Sequence, residues 1–147
     1  MLVSTKGRYA LRVMIDMAEH QEKTGTIALK DIATRQEISM KYLENIMKNL
    51  VKAKLVEGTR GKGGGYRLTK RPSLIKASAI ITASEGSIAP VACLEKKHNN
   101  CERAASCKTL AMWKGLQDNI TEYLEGISLE DLVQGGSAFL LGDGEEE

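Results

Sequence analysis

Apolar residues return every three or four positions near the start of the chain. Ala10, Leu11, Met14, Met17 and Ala18 share one face, which predicts an amphipathic helix over residues 4–21. Glu22, Lys23, Thr24 and Gly25 interrupt it. A second helix is expected over residues 29–36, with Leu29, Ile32 and Ala33 inward. A turn at Glu37 and Ile38 leads to Ser39, a side chain suited to an N-cap. A third helix then runs to about Lys54, with Leu43, Ile46, Met47 and Leu50 as its buried stripe. Two short helices joined by a tight turn make a helix-turn-helix.

The pattern then changes from helical to alternating. In LVEGTRGKGGGYRLTK, residues 55–70, Leu55–Val56 and Tyr66–Leu68 read as strands around a glycine-rich turn. A β-hairpin directly after the third helix makes the unit a winged helix-turn-helix. GKGGG is not a phosphate loop, because the G-x-x-x-x-G-K-[ST] order is missing and no helix follows at once. After Pro72, Ser73 is expected to cap a helix ending near Glu85, with Leu74, Ala77, Ile80 and Ile81 inward. The longest helical pattern covers residues 106–127. On it Trp113, Leu116, Ile120, Tyr123 and Ile127 are spaced 3, 4, 3, 4, the seam of a coiled coil. A brief helix is expected over residues 129–133, and a flexible acidic tail after it.

The predicted fold class is therefore mostly α, a winged helix-turn-helix DNA-binding domain plus a long dimerisation helix. Its expected parts are a DNA-binding domain over 1–85, a cysteine loop over 86–107, a dimerisation helix and short terminal helix over 108–134, and the tail over 135–147.

Charge sharpens this picture. The net charge is only +2, but residues 1–80 carry 16 Lys+Arg against 7 Asp+Glu, and residues 81–147 carry 5 against 12. A basic half points to a polyanion, DNA being the usual one. The exposed face of the third helix carries Lys41, Asn45, Lys48, Asn49 and Lys52 at helical spacing. Lysine suits phosphates and asparagine an adenine edge. Arg60 and Lys62 sit at the wing tip, where an arginine can enter a narrow minor groove. The start lacks the continuous apolar run of a signal peptide, and no stretch reaches transmembrane length. A cytoplasmic protein away from the membrane is expected. No nucleophile–base pair or carboxylate dyad suggests an enzyme.

The three cysteines, Cys93, Cys101 and Cys107, all lie in CLEKKHNNCERAASC. Soft thiolates select zinc, copper(I) or iron–sulfur clusters. With His98 they form C-x4-H-x2-C-x5-C, a full zinc set whose gaps differ from paired zinc knuckles. An iron–sulfur cluster tolerates wider gaps. A thiol or zinc-binding adaptor acting through a protein partner is the rival reading.

The order TKGRYAL at 5–11, DIA at 31–33, IS-x-x-YLE at 38–44 and L-V-x-x-x-RG-x-GGGY at 55–66, followed by the three cysteines and a long helix, resembles the Rrf-two-type transcriptional regulators. The resemblance spans residues 2–134 and covers the family's IscR, NsrR and CymR branches. It implies a homodimeric repressor or activator that binds a double-stranded operator, with long helices crossing between subunits. Tyr42, Glu44 and Asn45 take the recognition positions, with Lys41 replacing a small polar residue, and Arg60 takes the wing position. Cys93, Cys101 and Cys107 match the cysteines that hold a two-iron or four-iron cluster in the IscR and NsrR branches. Such a cluster senses iron–sulfur status, oxygen or nitric oxide, and is expected to be lost on isolation in air. The CymR branch lacks the triad and is cluster-free. The fourth ligand departs from both cluster-binding branches. Leu110 stands where one places a histidine, and Arg8 where the other brings an aspartate. His98 or Glu102 could stand in, or a small molecule.

Overall fold

The computed structural model describes residues 3–21, 25–61, 63–96, 98 and 101–135. Helix α1, Thr5–His20, is the central element and packs against most of the others. Helices α2, Leu29–Gln36, and α3, Met40–Lys52, form the helix-turn-helix. Glu37 ends α2 in a left-handed conformation, φ 54°, and the Ile38 amide bonds the Ala33 carbonyl at 3.1 Å. Ser39 caps α3 as expected: its hydroxyl accepts from the Tyr42 amide at 3.2 Å. Lys54, at φ 60°, lies just past the end of α3. Leu43, Ile46, Met47 and Leu50 are all buried, matching the predicted stripe.

Strands β1, Val56–Thr59, and β2, Gly65–Leu68, pair antiparallel from Val56↔Leu68 to Thr59↔Gly65. Ile27 adds a short third rung, exchanging amide–carbonyl bonds with Tyr66 at 2.8 and 2.9 Å. That rung ties the wing to the root of α2. It also sets the glycines: a Cβ at Gly65 would stand 2.5 Å from the Ile27 carbonyl oxygen, and one at Gly64 2.4 Å from that of Thr59. Two of the wing glycines thus serve close packing within the chain.

The expected helix after Pro72 begins later than the sequence suggests. Pro72–Leu74 form a single 3-10 turn, Ser73 lies inside it, and Leu74 is 61% exposed. Helix α4 runs Ala77–Glu85. The cause is a long-range pairing. The Ala77 amide bonds the Ile127 carbonyl at 2.9 Å and the Leu129 amide bonds the Ile75 carbonyl at 2.8 Å, which holds residues 75 and 76 extended. The helix ends at Glu85, as the sequence led us to expect, and Gly86 follows it at φ 82°.

Residue 127 onward therefore returns to the head. Helix α6, Leu129–Val133, opens on a Ser128–Asp131 capping box and packs on α1, with Leu129 fully buried in the common core. The sequence grouped this helix with the long one, but its packing joins it to the winged unit. Helix α5, Leu110–Glu125, starts four residues later than the pattern predicted. None of its residues is buried. Trp113 and Ile120 are half-buried, while Leu116 and Tyr123 are 41% and 64% exposed. Lys62, Glu22–Thr24 and the tail beyond Gly135 lie outside the described residues. No described helix is long and apolar enough to cross a membrane.

Candidate functional site

Helix α3 has 13 residues and is therefore about 20 Å long, and a helix about 10–12 Å across can enter a major groove about 12 Å wide. Its outer face presents Lys41, Glu44, Asn45, Lys48 and Lys52, all exposed, with Tyr42 and Asn49 half-buried. Among the described residues, none of the three lysines is in an ion pair. Their charge is open to a polyanion.

Tyr42 has a second role that the sequence did not disclose. Its ring meets Tyr9 of α1 edge to face, with centroids 5.8 Å apart. The Arg12 guanidinium lies 4.6 Å from the Tyr9 ring centre and donates to the Gln36 carbonyl at 2.9 Å and the Gln36 side-chain oxygen at 3.1 Å. One turn further along α1, Asp16 is 2% exposed. Arg35 binds both its oxygens, at 2.9 and 2.7 Å, and Gln36 adds a bond at 2.9 Å. Burial alone would raise the Asp16 pKa; the bonds from Arg35 and Gln36 and the charges of Arg35 and His20 outweigh it and hold the carboxyl below its ordinary range. These contacts fix α2 and α3 against α1 and so set the pose of the reading face. The signal in the sequence was Asp16 itself, an acid in the apolar run MIDMA that needs a partner once buried.

On the wing, Arg67 is neutralised by Glu57 across the strands. Arg60 is exposed and, among the described residues, has no ion-pair partner. It borders a cavity of about 310 Å³ between α3 and the hairpin, lined also by Val51, Thr59 and Tyr66. Arg60 on the wing and the three lysines of the preceding helix are thus exposed cations.

The cysteine segment is built differently. Cys93 sits half-buried in a 3-10 turn, Ala92–Leu94, and Cys101 and Cys107 are exposed. Cys93, His98 and Cys101 line one cavity of about 240 Å³ with Ala92 and Lys96. Cys107 is outside that lining. Its sulfur is 3.4 Å from the Thr109 hydroxyl, and that bond is the main reason its thiol pKa is lowered. Among the described residues, no three His, Cys, Asp or Glu side chains converge on a single metal ion. Glu102 is exposed and not on the cavity. Leu110 opens α5, and Arg8 donates to Thr5 at 3.2 Å. Two thiols and an imidazole lining one cavity, with a third thiol six positions on, are a soft donor set of the kind that iron–sulfur, zinc or copper(I) centres use.

Comparison with known proteins agrees with the head. Residues 3–135 match the Rrf2 family, described as an iron-dependent transcriptional regulator. The HTH-type transcriptional regulator IscR of Aliivibrio salmonicida is 40% identical over 133 residues, covering 90% of this chain and 77% of that protein. The structure of T. potens IscR is similar at a TM-score of 0.70 and 33% identity, covering 98% of this chain and 94% of that one. CymR, the global cysteine regulator of B. subtilis, is similar at a TM-score of 0.71 and 37% identity, covering 91% and 97%. Family and fold agree: the chain belongs to the Rrf2 family and is a DNA-binding transcriptional regulator, not an enzyme.

Proposed function

We propose that this regulator works as a homodimer whose operator binding responds to an iron–sulfur cluster held by Cys93, Cys101 and Cys107. The observation that carries the reading is the cavity onto which Cys93 and Cys101 both open, in a segment where no described residue is buried. A bound cluster would supply the packing that this loop lacks, and its lability would make it a sensor. Residues 108–126 would form the dimer contact through Trp113, Leu116, Ile120 and Tyr123.

The residues divide the work. Lys41, Lys48, Lys52 and Lys62 bind phosphates. Tyr42, Glu44 and Asn45 meet base edges in the major groove, and Arg60 enters the minor groove. Glu85 is the route between loop and head. Its carboxylate accepts from the Ser4 amide at 2.9 Å, the Ser4 hydroxyl at 2.6 Å and the Gly7 amide at 3.1 Å, so it caps α1. The cysteine loop starts one residue later. Ordering that loop pulls on the cap, and through α1 on the ring contacts that pose α3.

The test is anaerobic reconstitution followed by binding to DNA that this protein selects from a random pool. Brown protein is expected, with iron and acid-labile sulfide in comparable amounts, and Cys101→Ala should abolish the colour. Loaded and emptied protein should differ in affinity by roughly tenfold or more, a coupling of at least about 1.4 kcal/mol. Stoichiometric zinc without sulfide, or equal affinities, contradicts the reading. Metal-free protein with full operator binding would favour a second reading, a cluster-free regulator acting through a protein partner, for which the likeness to CymR is the support.

A further inference from the structure

The cluster reading leaves one coordination position without a donor. We infer that His98 fills it, and this rests on the iron–sulfur reading of the same loop. His98 lies on the cavity that Cys93 and Cys101 line. Its ring is exposed, and among the described residues it has no hydrogen-bond or ion-pair partner, so both ring nitrogens are open to a ligand. Cys101 lies three positions further along, at most about 10 Å of chain, so both donors can reach one cluster without unfolding a neighbouring element.

The competing donors fail on chemistry or place. Leu110 has no lone pair. Arg8 is a cation tied to Thr5 at the start of α1 and has no free pair while charged. Glu102 offers a hard oxygen and is not on the cavity. The chain has two histidines. His20, the other, ends α1, and its Nδ1 lies 2.8 Å from the Asp16 carbonyl oxygen, so that nitrogen carries the proton and binds within the head. That leaves one unengaged imidazole beside two of the three thiols.

Lys96 completes the environment. It shares the cavity with Cys93, His98 and Cys101 and brings a positive charge to where thiolates would gather. A neutral imidazole in place of a fourth thiolate, with an ammonium beside it, makes the cluster less negative. Both changes favour the reduced form, as histidine ligation does elsewhere. The centre is then set up to respond to redox state more readily than an all-thiolate one.

The test uses the full chain, reconstituted anaerobically, reduced, and labelled with ring-¹⁵N histidine. Pulsed electron paramagnetic resonance reads nitrogen coupled to the cluster, and iron and acid-labile sulfide are measured on the same samples. The wild type should show one strongly coupled imidazole nitrogen. The signal should persist in His20→Gln and vanish in His98→Ala and His98→Cys, while His98→Cys keeps iron and sulfide in comparable amounts. A cluster without a strongly coupled nitrogen, or coupling that survives His98→Ala, overturns the histidine assignment and leaves the cluster reading standing. Wild-type protein that takes up no sulfide overturns both.

Discussion

Residues 29–68 and residues 86–126 are about equal in length and opposite in construction. The first stretch buries Ile32, Ala33, Leu43, Ile46, Met47, Leu50, Leu55, Val56 and Leu68 in one core. Ser39 caps its third helix, and two of its glycines, Gly64 and Gly65, stand where a side chain would collide with backbone. In the second stretch no described residue is buried, although it holds the sole tryptophan and a continuous apolar seam. Met112, Leu116 and Tyr123 stand 56%, 41% and 64% exposed. A single chain therefore completes the reading head and leaves the arm open. The arm meets the head along α4 and re-enters it at the Lys76–Ser128 bridge. Such an arm gains most from outside: a second seam along α5, and a ligand for the thiols. The difference teaches where regulation can act, because a segment that is unfinished alone can be completed conditionally.

The largest effect should come from breaking the arm alone. Ile120→Asp puts a charge on the seam, and operator affinity should fall by at least about 100-fold, since a single head makes too few contacts for specific binding. Light scattering should show monomers while circular dichroism still shows a folded head. Loss of the head as well would erase the distinction between the two regions. Next, Leu50→Ala should cost the head about 2–5 kcal/mol in urea unfolding. In the monomeric Ile120→Asp background, Leu116→Ala should change the same measurement by less than about 0.5 kcal/mol. Comparable losses would mean that the arm is core after all.

Asp16→Ala should cost about 2–3 kcal/mol, because it leaves Arg35 without its buried partner. The pH dependence follows from the lowered Asp16 pKa. The group's contribution is complete above the ordinary aspartate value, about 3.9, and is lost as pH falls through the lower folded value. The gap between wild type and Asp16→Ala in chemical unfolding should thus be level near neutrality and narrow only below about pH 4. A gap that already closes at pH 6 would assign the stability to another group. The smallest effects lie on the DNA face. Arg60→Ala should weaken operator binding roughly tenfold and relax preference at A·T-rich flanks. Lys52→Ala should weaken all sequences alike and lower the salt slope by about one.

How far the sequence could be read follows the same division. In the head, the helix-turn-helix and the wing are specified by neighbours in the chain. The stripe of α3, the Ser39 cap and the α2 boundaries appear where the spacing of apolar residues puts them. What escaped were contacts between distant positions. Ser73 looked like a cap because nothing local reveals that Leu129 holds the Ile75 carbonyl. Glu85 looked like the end of a helix, yet it caps α1 from 78 residues away, and Gly7 is small because that carboxylate comes so close. In the arm, residue types announced soft-metal chemistry, but spacing could not show that Cys93, His98 and Cys101 share a cavity while Cys107 stands apart beside Thr109. A loop without a core carries little local information about its shape.

The central claim is that two heads, complete in themselves, are joined by arms that a second chain and a cluster complete. Sedimentation velocity under anaerobic conditions, recorded at both a protein and a visible wavelength, tests it most directly. With a chain mass of 16.1 kDa, the account predicts a single boundary at twice that mass carrying the visible absorbance. A colourless dimer would contradict the cluster, and a boundary at the mass of one chain would contradict the account as a whole.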